Sequence, residues 1–117
     1  MTWEDGVSVT AADVHYTWVL QTDTLVAWSG RKLKERIRDV QVVDDHTVRF
    51  IFTNRYPYQL MDANEGVILP KHLLEEIPRD SIRTADFGQR PVGNGPFRLS
   101  RWVHGQYIAL ERNPTYY

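Results

Sequence analysis

The sequence predicts an α+β fold of two β-hairpins with three to four helices, in an order that is not a strict strand–helix–strand alternation. Two alternating apolar segments, residues 40–52 and 97–112, each break at a polar or glycine-containing turn. A Thr-x-x-Asp pattern opens an apolar stretch at residue 10. A chain of 117 residues suffices for one small domain and buries roughly two-thirds of its extended surface. The whole chain, residues 1–117, is therefore read as a single domain.

Glu4-Asp5-Gly6 is a turn signal. Thr10 then caps a helix that runs to about Thr22-Asp23, with Asp13 completing a capping-box pattern. Ala11, Val14 and Trp18 are expected on its inner face, with Tyr16 and Leu20 flanking. The basic run Arg31-Lys32-Leu33-Lys34-Glu35-Arg36 reads as a solvated helical turn, because it has no glycines to cradle a phosphate. In the first hairpin Val40 and Val42 alternate with polar residues, Asp44-Asp45-His46 turns, and Val48, Phe50 and Phe52 return. Pro57 opens a short helix to about Ala63, and Val67-Ile68-Leu69 is extended. Pro70 starts a helix over Lys71 to Ile77 that Pro78 stops. Arg79 to Arg90 reads as loop with one helical turn. Pro91-Val92-Gly93-Asn94-Gly95-Pro96 is a kinked approach to a strand, with Gly93 or Gly95 expected at positive φ. The second hairpin pairs Phe97–Val103 with Gln106–Arg112 across His104-Gly105.

Composition excludes several classes. Fourteen basic and fifteen acidic residues give a net charge of -1, so there is no basic face for nucleic acid. No apolar run approaches the roughly 20 residues of a membrane span. The chain has no cysteine, hence no disulfide, thiolate site or cysteine nucleophile. Met1 runs into Thr2-Trp3-Glu4 without the charged and apolar regions of a signal peptide. Together with the aromatic ending Tyr116-Tyr117, this leads to the expectation of a section cut from a longer chain.

Catalytic and metal sites find no support. His15, His46, His72 and His104 lack metal-site spacing. Glu75-Glu76 are helix neighbours that do not face each other, and Asp44-Asp45 suits turn chemistry. Ser8, Ser29, Ser81 and Ser100 have no nucleophile elbow around them. No cofactor is expected.

The order of motifs resembles one family. Trp3-Glu4-Asp5-Gly6 and Thr10-Ala11-Ala12-Asp13-Val14 are similar to its W-x-D-G and T-A-x-D-V motifs. Val40 to Phe50 resembles V-x-x-x-D-D-x-T-V-x-F, and Ile68-Leu69-Pro70-Lys71-His72 resembles I-L-P-K-H. Pro91 to Phe97 resembles P-V-G-T-G-P-Y/F, with Asn94 in place of Thr. Leu110 to Tyr117 resembles L-E-R-N-P-x-Y-W, with Tyr117 in place of Trp. These are motifs of the extracellular solute-binding proteins of family 5, the oligopeptide-, dipeptide- and nickel-binding type.

The resemblance implies part of the first lobe of a periplasmic-binding-protein type II fold, whose two lobes close on a solute by hinge motion. It implies a periplasmic or extracellular, membrane-anchored parent that passes peptides or related solutes to ABC permease subunits, with no enzymatic step. Trp28, Asn64 and Glu65 correspond to cleft-lining segments. Trp28 would act as an apolar platform and Glu65 as a counter-charge to an amino terminus. Core packing for Trp28 and a solvated loop for Glu65 are the alternatives. Taken alone, the chain is expected to self-associate through exposed strand edges and aromatic surface. A ligand-sensing domain of a regulator and a non-enzymatic interaction module remain the competing functions.

Overall fold

Helix α1 spans Ala11–Thr22, where the Thr-x-x-Asp pattern predicts it. Thr10 is extended, and its N–H donates to Asp13 Oδ2 at 2.9 Å, the reciprocal arm of a capping box. The structure, a computed structural model, describes residues 1–116. Tyr117, one of the predicted terminal aromatics, lies outside the described residues.

After α1 the order is α2 (Arg31–Lys34), β1 (Ile37–Asp44), β2 (Thr47–Phe52), α3 (Gln59–Asn64) and α4 (Lys71–Leu74). Two single 3-10 turns follow, at Ile82–Thr84 and Asp86–Gly88, and then β3 (Phe97–Val103) and β4 (Tyr107–Arg112). Both predicted hairpins are present as antiparallel pairs, β1 with β2 and β3 with β4. The chain divides into two compact units: Thr10–Ile82, and Met1–Val9 together with the chain from Arg83 onward.

In the unit of residues 10–82, the buried core is Ala11, Tyr16, Leu20, Val26, Ile37, Val40 and Leu74. The inner face of α1 differs from the expected one. Asp13, Tyr16, Thr17, Leu20 and Gln21 are buried, whereas Val14 and Trp18 are only half-buried. The spacing is helical, but the stripe is largely polar, and the reason is what packs on it. Asp13 Oδ1 accepts the Lys71 N–H at 2.8 Å, and Thr17 Oγ1 accepts the Leu69 N–H at 2.8 Å. Gln21 Nε2 donates to the Glu65 carbonyl at 3.5 Å. Three residues one turn apart thus pin an extended segment running antiparallel to the helix. That segment cannot use a strand ladder, so side chains satisfy its backbone.

Asp13 therefore serves two helix starts, its own and that of α4. Pro70 is extended at the α4 N-cap and offers no side-chain cap. Helix α4 is shorter than predicted, because beyond Leu74 the bonding tightens, with Ile77 N–H donating to Leu74 O at 3.1 Å.

Tyr16 lies under Arg79, whose guanidinium carbon is 5.1 Å from the ring centre. Burial pushes the Tyr16 phenol above its ordinary value, with the Arg79 charge pulling the other way. The folded chain holds this proton longer than the unfolded chain. The associated stability is complete below about pH 10 and is lost as pH rises through the folded-state value. Tyr16→Phe is expected to remove that loss, so its urea midpoint should fall less than the wild-type midpoint between about pH 9 and pH 11.

In the other unit, Trp3 is buried and its backbone N–H donates to Val7 O at 2.8 Å around Gly6, which sits at φ 89°. Glu4 N–H donates to Gly93 O at 2.9 Å. Neither Gly93 nor Gly95 adopts positive φ, contrary to expectation. Their carbonyls are instead held from outside, Gly95 O by the Asn113 side-chain amide at 2.9 Å, so an extended path suffices. Asn113 is buried, and its Oδ1 accepts from the Thr115 N–H and hydroxyl. In β3–β4 the register runs Leu99↔Leu110 and then Arg101↔Ala109, leaving Ser100 as an extra residue. The bulge keeps Trp102 and Ile108 on the same face as Phe97, Leu99 and Leu110. Gly105 turns the hairpin at φ 73°.

Candidate functional site

The basic run of α2 is not fully solvated as predicted. Lys34 is 2% exposed. Its Nζ donates to Asp62 O at 2.6 Å, Ala63 O at 3.4 Å and Glu65 O at 2.6 Å. These carbonyls belong to the end of α3 and the residue after it, where free C=O groups and the helix dipole favour a cation. The ammonium has three protons and meets three acceptors. Burial pulls its pKa below the ordinary lysine value, while the nearby Glu65 and Asp62 carboxylates oppose the shift. The run Arg31-Lys32-Leu33-Lys34 carries a weak signal for this, since only one cation per helical turn can point inward.

The three predicted site residues gather around Lys34. Trp28 places its ring over Gly30 and against Gly66, with Lys34 Nζ 6.0 Å from the ring centre. Ala27, just before it, sits at φ 50°, a left-handed conformation that costs a non-glycine residue about 1–2 kcal/mol and turns the chain toward that packing. Gly66 has φ 90°, and a Cβ there would overlap the Gln21 amide and touch Trp28. Glycine is required on both counts. Asn64 and Glu65 are exposed, and they line a cavity of about 340 Å³ bounded by α1, the β1–β2 hairpin and α3. Trp28 is not among the lining residues. Its ring buttresses the 64–66 segment, and the apolar walls come from Val14, Trp18, Val48, Phe50 and Leu60.

The helical spacing predicts Trp18 on the inner face of α1 and gives it no place in a site. Its indole Nε1 is buried without a hydrogen-bond partner. A tryptophan N–H ordinarily finds a partner when buried.

Among the described residues, no three His, Asp or Glu side chains gather to hold a metal ion. No helix among the described residues is long and apolar enough to cross a membrane. The surface offers fixed polar groups beside an apolar cavity, which is equipment for binding.

Residues 1–117 match the family described as bacterial extracellular solute-binding proteins, family 5 Middle. The oligopeptide-binding protein AppA of Bacillus subtilis is 30% identical over 117 residues, covering 98% of this chain and 22% of AppA. The crystal structure of AppA with a nonapeptide superimposes with a TM-score of 0.84 at 29% identity, over 96% of this chain and 23% of that one. NikZ of Campylobacter jejuni, solved with Ni(L-His), gives a TM-score of 0.85 at 30% identity, over 96% of this chain and 22% of that one. The chain thus spans about a fifth of the length of these relatives.

Proposed function

The chain belongs to the bacterial extracellular solute-binding proteins of family 5, and we propose that it forms part of one lobe of a protein that captures peptides and delivers them to an ABC permease. The observation that carries this reading is the superposition of the chain on the nonapeptide-bound AppA. The whole protein would work outside the cytoplasmic membrane, anchored to it, by capture and release without a covalent step.

In this reading the segment 64–66 is a wall of the cleft. Glu65 supplies a counter-charge to the solute's amino terminus, Asn64 an amide for its backbone, and Trp28 an apolar platform behind Gly66. Hinge closure of the second lobe would exclude water and complete the polar contacts. A calorimetric titration tests the proposal. The full-length protein is expected to bind members of a peptide library saturably at one site, and the 117-residue chain is expected to show no micromolar binding. A full-length protein that binds no peptide, or a chain that alone binds one at micromolar affinity, would overturn it.

The bulged hairpin supports a further expectation. Phe97, Ile108 and Leu110 are more than half exposed on one face. Such a face favours association. Sedimentation of the isolated chain should show concentration-dependent oligomers, and Leu110→Lys should shift it toward monomer.

A further inference from the structure

We propose that Asn94 is a self-modification site, where the Gly95 backbone nitrogen closes on the Asn94 side chain and converts it through a cyclic imide to aspartate and isoaspartate.

The sequence narrows the choice. The chain has four asparagines, followed by Arg55, Glu65, Gly95 and Pro114. Ring closure needs a backbone nitrogen that carries a proton, and Pro114 has none. It also needs the side-chain carbonyl to reach the next backbone nitrogen, and a side chain on the following residue crowds that approach. Only Gly95 among the four lacks a Cβ. Asn113 is fixed besides, by its bonds to Gly95 O and to the Thr115 N–H and hydroxyl.

The structure narrows it again. Asn94 is only half-buried, so water and base reach it. The Gly95 N–H makes no backbone hydrogen bond among the described residues. A Cβ on Gly95 would meet nothing nearer than Phe97 O at 4.0 Å, so the space around it is open. The Asn94 amide donates to Met1 Sδ at 3.0 Å, and a thioether is a weak acceptor. Asp5-Gly6 supplies the contrast. It has the same small neighbour, but the Gly6 N–H is spent on Trp3 O at 3.0 Å, and Asp5 Oδ1 accepts the Val7 N–H at 3.1 Å. Both reacting groups are held at Asp5-Gly6, and neither is held firmly at Asn94-Gly95.

The chemistry needs only water and base. Hydroxide takes the Gly95 amide proton, and the nitrogen attacks Asn94 Cγ. The Gly95 N–Cγ bond forms, the Cγ–Nδ2 bond breaks, and Nδ2 leaves as ammonia with a proton from water. Water then opens the imide. Breaking the Gly95 N–Cγ bond leaves aspartate. Breaking the Asn94 C–Gly95 N bond leaves isoaspartate, with the backbone rerouted through Cγ and one atom longer.

The place of Asn94 gives the change a consequence. Gly93 O is held by the Glu4 N–H at 2.9 Å, and Gly95 O by the Asn113 amide at 2.9 Å. An extra backbone atom between two fixed carbonyls cannot leave both bonds in place, and either product adds a negative charge. Conversion therefore loosens the approach to β3. None of this depends on the solute.

The test incubates the full-length protein in warm, mildly alkaline buffer. Tryptic peptides are followed by mass spectrometry for replacement of NH₂ by OH, and by labelling with an isoaspartyl methyltransferase. The peptide carrying Asn94 is expected to convert several-fold faster than those carrying Asn54 or Asn64, with the label at residue 94 and none at Asp5. Gly95→Ala, which the open space tolerates, should convert several-fold more slowly, and Asn94→Thr should take no label there. If Gly95→Ala does not fold, the comparison with Asn54 and Asn64 in the wild type decides. In the converted fraction the Glu4 amide should exchange faster with solvent. An Asn94 that persists while Asn54 or Asn64 converts, a folded Gly95→Ala that converts at the wild-type rate, or a label at Asp5 equal to that at Asn94 would overturn the proposal. Unchanged exchange at Glu4 would overturn its structural consequence.

Discussion

Lys34→Met is expected to destabilise the unit of residues 10–82 by about 2–4 kcal/mol. Methionine keeps most of the apolar stem and removes the ammonium. The carbonyls of Asp62 and Glu65 then lose donors at 2.6 Å in a place where Lys34 itself is almost wholly buried. Glu65 O keeps the longer bond from Gln21 Nε2, so the main cost falls on Asp62 O; a buried acceptor left unpaired costs about 1–3 kcal/mol, and bonds from a charged donor stand at the upper end of that range. The end of α3 also loses the cation that complements its dipole. Lys34→Arg should restore only part of the loss, because a planar fork cannot converge on three carbonyls as an ammonium does. Urea unfolding reads the effect as a drop in midpoint at unchanged slope. A loss of under about 1 kcal/mol, the usual worth of an exposed ion pair, would return Lys34 to the solvated role the sequence suggested.

Asp13→Ala is expected to cost about 3 kcal/mol, for two separable reasons. Removing the capping group from α1 accounts for about 0.5–2 kcal/mol. Leaving the Lys71 N–H without an acceptor adds about 1–3 kcal/mol. Asp13→Asn keeps one acceptor oxygen and should lose roughly half as much, since Oδ1 and Oδ2 serve different helices. Equal losses for Ala and Asn would show that charge alone matters and that the two-helix geometry does not.

The elements themselves were legible because each carries a local signal. Thr10 and Asp13 mark a helix start, Val40 to Phe52 alternates about a two-residue turn, and Gly105 permits the second hairpin. What periodicity could not reveal was the use of Asp13, Thr17 and Gln21 as an inner face. Hydrophobic patterning assigns such residues outward, and only their long-range partners, residues 65 to 71, turn them in. The same holds for Lys34, whose acceptors lie 28 or more residues away. Gly93 and Gly95 misled for the opposite reason. Glycine permits positive φ, but a carbonyl held by a distant donor does not require it.

For the candidate site, motif order points to the segment around Asn64 and Glu65, and the structure shows how that segment is fixed. Trp28, expected at the cleft, packs its ring behind Gly66, while Trp18 lines the cavity with its indole N–H buried and unpartnered. Two tryptophans ten residues apart cannot be ranked by sequence when the decisive difference is which ring meets a glycine. Family membership does not choose the solute.

Residues 64–71 are held in place before any ligand arrives, by side chains of α1 and by Lys34. Amide hydrogen exchange on the 117-residue chain measures this directly. The N–H groups of Leu69 and Lys71, which lie outside any regular ladder, should exchange as slowly as the interior of α1, and Asp13→Asn or Thr17→Val should speed them selectively. Exchange of both amides at free-peptide rates in the wild type, with α1 still protected, would mean that the wall is not built in advance.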